Sequence, residues 1–151
     1  MYYPDLSSYE YLRDEDSAAL NVGWLDGAHK YLQSEPLDLF VERLWAFCHM
    51  PVNQMMGIHE CELCPESIFD RHVWRGDTDL WLGSAEIRIF GLEGVIYAAP
   101  NLIYHYVVDH HYSPPDEFVG AVLKGPLPDS SDYVARARQF HWGRKAIRDK
   151  Q

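Results

Sequence analysis

Residues 57–65 read GIHECELCP and place His59, Cys61 and Cys64 in the order H-x-C-x-x-C. Zinc takes thiolate sulfur and imidazole nitrogen, four donors at a time, in a tetrahedron. Three such donors therefore stand in one short turn, bracketed by Gly57 and Pro65, which suit a bent backbone. Only three are local, so a metal here requires a distant segment to be carried back to the turn. That requirement constrains the fold more than any other feature of the chain.

The best source of the fourth donor is the segment 101–111, NLIYHYVVDHH. On a helix His105 and Asp109 are four apart and share a face. His110 is five from His105 and points elsewhere on a regular helix, so one rigid helix should not aim both at one ion. His105 is the predicted fourth ligand because it lies in the apolar part of the segment, and His110 is the alternative if the helix stops before it. The predicted metal set is His59, Cys61, Cys64 and His105, holding zinc. Closing the loop from Cys64 to His105 costs roughly 3 kcal/mol. Structural zinc sites supply about 10–16 kcal/mol, which offsets that cost.

A redox pair is the weaker reading of the C-x-x-C. Glu60 and Glu62 flank Cys61, and reactive thiols sit in electropositive surroundings instead. Catalytic zinc signatures are absent. H-E-x-x-H fails because Cys61-Glu62-Leu63 follows His59-Glu60. The deaminase order fails because the histidine directly precedes the cysteines and Pro65 follows them. No P-loop, G-x-G-x-x-G or G-x-S-x-G occurs. The order thus favours a structural metal and a protein-interaction or binding role. The alternative is a zinc-dependent hydrolase with an open coordination position, His59, Cys61 and Cys64 as ligands, and Glu60 or His110 handling protons.

The net charge is −10, unevenly spread: residues 1–131 carry −14 and residues 132–151 carry +4. An acidic body repels nucleic acid and anionic membrane. A basic end with Phe140 and Trp142 among its cations has the makings of an RNA contact, but a solvated helix or a fold-back onto the body is the simpler expectation. Acidic surface with exposed aromatics points to a basic protein partner. No secretory leader and no membrane-spanning run is legible, and three cysteines make no disulfide framework, so the expected location is the cytoplasm.

Hydrophobic residues at 47% and 151 residues suffice for one core, and no repeat or linker divides the chain. Residues 1–16 are expected as an irregular arm packed by its tyrosines, and 19–25 as a short strand. Ser34 as N-cap and Pro36 in the first turn predict a helix ending near 49, with Cys48 as an inert core thiol. Residues 71–74 and 80–82 read as a hairpin, and 84–90 alternates as a half-buried strand does, returning through 95–98. Helices follow at 100–111 and from 113 to Gly125-Pro126, with a helical tail around 132–140. The prediction is a single α+β domain over 1–151, with small antiparallel sheets or hairpins, three to four helices, a zinc-knuckle-like loop and a basic C-terminal helix or tail at 132–151.

Several of these blocks together resemble a family of small uncharacterised bacterial proteins. They include MYYPDLSSYEYL, LNVGWLD, LGSAEIRI and VIYAAPNLIYHYVVDHHYSPPDEF. The most distinctive are H-x-C-x-x-C and H-Y-x-x-x-H-x-Y-x-P-P-x-x-F, the latter running from His105 to Phe118. The resemblance covers roughly residues 1–123 and implies a soluble bacterial domain, with no activity to carry over.

Overall fold

A computed structural model describes residues 1–11, 18–68 and 71–150. The architecture is α+β. Strand β1 (Leu20–Asn21) is followed by helix α1 (Asp38–Cys48) and the hairpin β2 (Arg71–Arg75) and β3 (Thr78–Leu82). Next come β4 (Glu86–Phe90), β5 (Ile96–Pro100), α2 (Ile103–His110), α3 (Asp116–Lys124), α4 (Ser131–Ala137) and α5 (His141–Lys150). The three-stranded sheet has the order β1-β5-β4, with β1 parallel to β5 and β4 antiparallel to it. β2 and β3 form a separate antiparallel pair.

The core lies against β4 and β5, every residue of which is buried. α1 covers it with Phe40, Leu44, Phe47 and Cys48, positions that recur at helical spacing. α3 adds Phe118, whose ring meets Phe40 and Tyr97 edge-on. The Cys48 thiol is buried, sits 3.7 Å from the Asn101 carbonyl and is pushed up by burial to about 12, as an inert core thiol should be.

The strand read as half-buried departs from that reading. Glu86 and Arg88 are 1% and 0% exposed and pair with each other at 2.9 Å. Glu86 also accepts from the Tyr9 hydroxyl at 2.8 Å and the Asn53 amide at 3.3 Å. The Arg88 guanidinium lies 4.6 Å from the Tyr9 ring centre and 5.7 Å from that of Trp142. Alternation in sequence normally marks one wet face. Here both faces are covered, and mutual neutralisation makes the burial tolerable.

Other boundaries differ for local reasons. α1 begins at Asp38 with Leu37, not Ser34, as its N-cap, and no side chain caps it. Proline disfavours helical backbone in the residue before it, so the chain stays extended up to Pro36. Gln33 instead bridges Tyr112, and the Ser34 amide donates to the His111 carbonyl. β1 is two residues long because Gly23 takes φ +79°, where a Cβ would meet Ile103 at 2.7 Å. β5 runs on to Pro100, so α2 starts at Ile103.

The N-terminal arm is irregular and pinned by its aromatics as far as Tyr11: Tyr3 and Tyr11 pack on Trp24. The rest of the expected arm, 12–16, lies outside the described residues. The basic end folds back as two helices, and Tyr133 and Trp142 are buried against Phe90. No helix among the described residues is long and apolar enough to cross a membrane.

The ion pair sets a test. Arg88→Met, which leaves Glu86 buried without its counter-charge, should cost about 3–5 kcal/mol in denaturant unfolding. Adding Glu86→Gln should recover most of that loss. A double variant no more stable than the single one would mean that packing around Arg88, not charge, carries the effect.

Candidate metal centre

The loop 52–65 is laid along the lead-in to β4. Val52 and Glu86 exchange both backbone hydrogen bonds, the Met55 amide donates to the Ser84 carbonyl, and the His59 amide to that of Gly83 at 2.7 Å. Gly83 has φ +115°, and a Cβ there would come within 2.7 Å of the His59 carbonyl oxygen, so glycine lets the two backbones meet. Beyond His59 the chain turns, and the Leu63 amide points at Cys61 Sγ at 3.4 Å. On the other side, Asn101 joins β5 to α2, accepting from the Gly83 amide at 2.9 Å. The knuckle loop and α2 thus hang from one frame.

This frame brings Cys61, Cys64, His105 and His110 together, with one donor atom from each lying within 4.8 Å of all the others. Cys64 Sγ is 3.2 Å from His105 Nε2 and 3.4 Å from His110 Nε2. Cys61 Sγ is 3.4 Å from His110 Nε2, and the two Nε2 atoms are 3.2 Å apart. For a tetrahedral ion with Zn–N about 2.05 Å and Zn–S about 2.3 Å, the edges are about 3.4 Å for N···N and about 3.6 Å for S···N. The donor set and its spacing fit a metal ion.

Three of the four residues expected at the site, Cys61, Cys64 and His105, are in this group. His59 is not: its Nε2 faces the Tyr11 hydroxyl at 3.4 Å. His110 occupies the fourth position alongside His105, although the two are five apart. The reason is a widened last turn. The His111 amide donates to the Tyr106 carbonyl, five residues back, and the Tyr112 amide, six residues on, donates to the same oxygen at 3.0 Å. A turn closed over five residues carries His110 round towards His105. The two rings stand edge to face with centres 4.9 Å apart. His111, at φ 56°, then leads the chain away.

The surroundings prepare the donors. Asp109 Oδ2 lies 2.7 Å from His105 Nδ1, the expected i,i+4 pair. A carboxylate on Nδ1 holds the proton there and leaves the Nε2 lone pair free for a metal. Burial first, and the Arg71 guanidinium second, lower His105 to about 4, against the pull of Asp109. Burial likewise lowers His110. Both imidazoles are therefore neutral near pH 7, the ligating form. Burial is also the first cause of the raised Cys61 thiol, and the neighbouring Cys64 raises it further; the flanking glutamates that the sequence suggested are not what shifts it. Arg71, the first residue of β2, donates through Nη2 to Cys64 Sγ at 3.3 Å. Sequence reading missed it, because nothing in a lone arginine seven residues downstream marks it as a partner of a thiolate.

Residues 1–123 match the model of a family described as a domain of unknown function (DUF7919). The chain belongs to that family. The matched span holds all four clustered residues and stops before α4 and α5. No curated protein and no solved structure matches the chain.

The geometry orders the three thiols by access. In the native, metal-free protein a bulky thiol reagent should modify Cys64, which is partly exposed, ahead of Cys61, and leave Cys48 untouched until unfolding. Mass spectrometry of timed samples reads this order. Early labelling of Cys48 would contradict its place in the core.

Proposed function

We propose that this is a structural zinc protein whose role is to bind another macromolecule rather than to turn over a substrate. One observation carries the proposal: two sulfurs and two nitrogens from two separate chain segments lie within 4.8 Å of one another, four of their six spacings being 3.2–3.4 Å. Two thiolates and two imidazoles in a tetrahedron select zinc over the harder cations. Four protein donors support a fastening role, since a hydrolytic ion needs a position open to water. Glu60, the candidate base of the hydrolase reading, is engaged by the Ser67 hydroxyl. The ion would tie the knuckle loop to the end of α2 across about 40 residues of chain, where most of the constraint is entropic. A reducing cytoplasm suits the site, because its cysteines are free and must stay so to ligate.

The ligand set is tested with Co²⁺ as an optical probe on chelator-stripped protein. One equivalent should give the intense absorption of a tetrahedral thiolate site. Asp109→Asn should weaken uptake by about 10–100-fold, as loss of a supporting carboxylate does. His105→Ala and His110→Ala should each cost more, whereas His59→Ala should match the parent. Loss of uptake in His59→Ala with retention in His110→Ala would shift the ligand set to the knuckle histidine. No uptake by the parent protein would end the metal reading.

A further inference from the structure

The β2–β3 hairpin turns an unusual face outward. In its register His72 lies opposite Trp81 and Trp74 opposite Asp79. Side chains on paired and alternate positions share a face, so these four form one surface. Trp74 is 62% and Trp81 57% exposed. Two large indoles left in solvent on one small face mark an interaction site more readily than a scattered apolar residue does. The face is also held by contacts among its own side chains. His72 stacks on Trp81 with ring centres 4.1 Å apart and planes 7° from parallel, and its centre is 5.3 Å from that of Trp74. His72 Nε2 is held by Asp79 Oδ2 at 2.5 Å. Rings already fixed lose little freedom on binding.

Charge decides what such a face receives. None of its four positions is Lys or Arg; its one full charge is the Asp79 carboxylate, with Asp77 at the turn, while Arg75 next to Trp74 alternates to the opposite face of the hairpin. Residues 1–131, the hairpin among them, sum to −14. Indole faces attract cations, guanidinium above all, and a carboxylate beside them adds a charge-assisted hydrogen bond. We propose that the outer face of β2–β3 docks an arginine-containing segment of a basic protein, with guanidinium groups laid on Trp74 and Trp81 and one of them held by Asp79. This names the partner in the binding role proposed above and rests on that role, but not on the metal. An acidic body disfavours anionic membrane and nucleic acid at the same face.

The test uses the full chain and two unstructured probe peptides of equal length and charge, one alternating Arg with Ser and the other Lys with Ser, titrated calorimetrically at low salt. The Arg peptide should bind more tightly than the Lys peptide, because a planar guanidinium stacks and an ammonium does not. Trp74→Ala with Trp81→Ala should weaken the Arg peptide by about tenfold or more, the worth of two partly exposed cation–π contacts. The Trp74→Phe, Trp81→Phe pair, which keeps an apolar face, should fall between. Asp79→Asn should also weaken binding. Equal affinity for both peptides, unchanged in the tryptophan variants, would mean simple attraction to an acidic body and would overturn the proposal. So would tryptophan-dependent binding of a neutral glucose oligomer or of anionic vesicles with none of the Arg peptide. Each variant is also titrated with Co²⁺. Failure of metal uptake beside tryptophan-dependent peptide binding removes the zinc reading alone; the reverse result removes the docking face alone.

Discussion

The buried pair of Glu86 and Arg88 is the interaction on which the rest of the structure hangs. Neither charge could be buried alone, and each would cost several kcal/mol without the other and its hydrogen bonds. Their partners come from everywhere in the chain: Tyr9 and Asn53 on the carboxylate, the rings of Tyr9 and Trp142 over the guanidinium. The Tyr133 hydroxyl donates to the Arg88 carbonyl at 2.9 Å, securing α4 to the same strand. The backbone of Glu86 meanwhile pairs with Val52 and starts the run of hydrogen bonds that lays down the knuckle loop. One strand thus fixes the N-terminal arm, the C-terminal helices and the approach to the candidate metal centre. A burial of this kind gives little net stability over an apolar pair, but losing either partner leaves the other charge buried and unmatched.

That dependence bears on where the domain ends. The family match stops at residue 123, yet Trp142 and Tyr133 lie beyond it and are buried against β4 and its neighbours. The basic end, expected as a C-terminal helix or tail, completes the core around Arg88. Its stacked pair Phe140 and Trp142, with centres 5.6 Å apart, therefore packs inward with Trp142 buried. The positive charge of residues 132–151 is partly met locally as well, since Arg136 pairs with Asp132 at 2.9 Å.

Elements set by local rules were legible from the residues: α1 by its apolar period, α3 by Pro114-Pro115 before and Gly125 after, and the hairpin by Gly76-Asp77 between two aromatic runs. What failed was whatever depended on tertiary cover. SAEIRIF alternates as a half-wet strand would, and no local signal says that its Glu and Arg find each other and three aromatic or amide partners. The start of α1 slid from Ser34 to Asp38 because residues 33–34 were taken up in pairing with 111–112, a contact between segments almost eighty residues apart.

The candidate site shows the same division at finer grain. That Cys61, Cys64 and His105 come together was readable from residue types and helical spacing. His110 was set aside for a geometric reason that is sound for a regular helix, where positions five apart diverge. The widened turn at Tyr106 removes that objection, and its cause lies downstream. Tyr112 is drawn into the core with its hydroxyl on Asp5 at 2.7 Å, and His111 takes a left-handed backbone to let it turn in. His59 belonged to the motif by proximity, but its amide is used to moor the loop to Gly83, which commits its direction before the cysteines are reached. The two cysteines of the motif therefore enter the cluster, while the backbone hydrogen bonds at Gly83 and at Tyr106 decide which histidines stand beside them. Two thiolates would neutralise a divalent ion, leaving the surface charge to the carboxylates. The site's only direct tie to the hairpin among these contacts is Arg71 on Cys64, at the inner end of β2 and on the side away from Trp74 and Trp81.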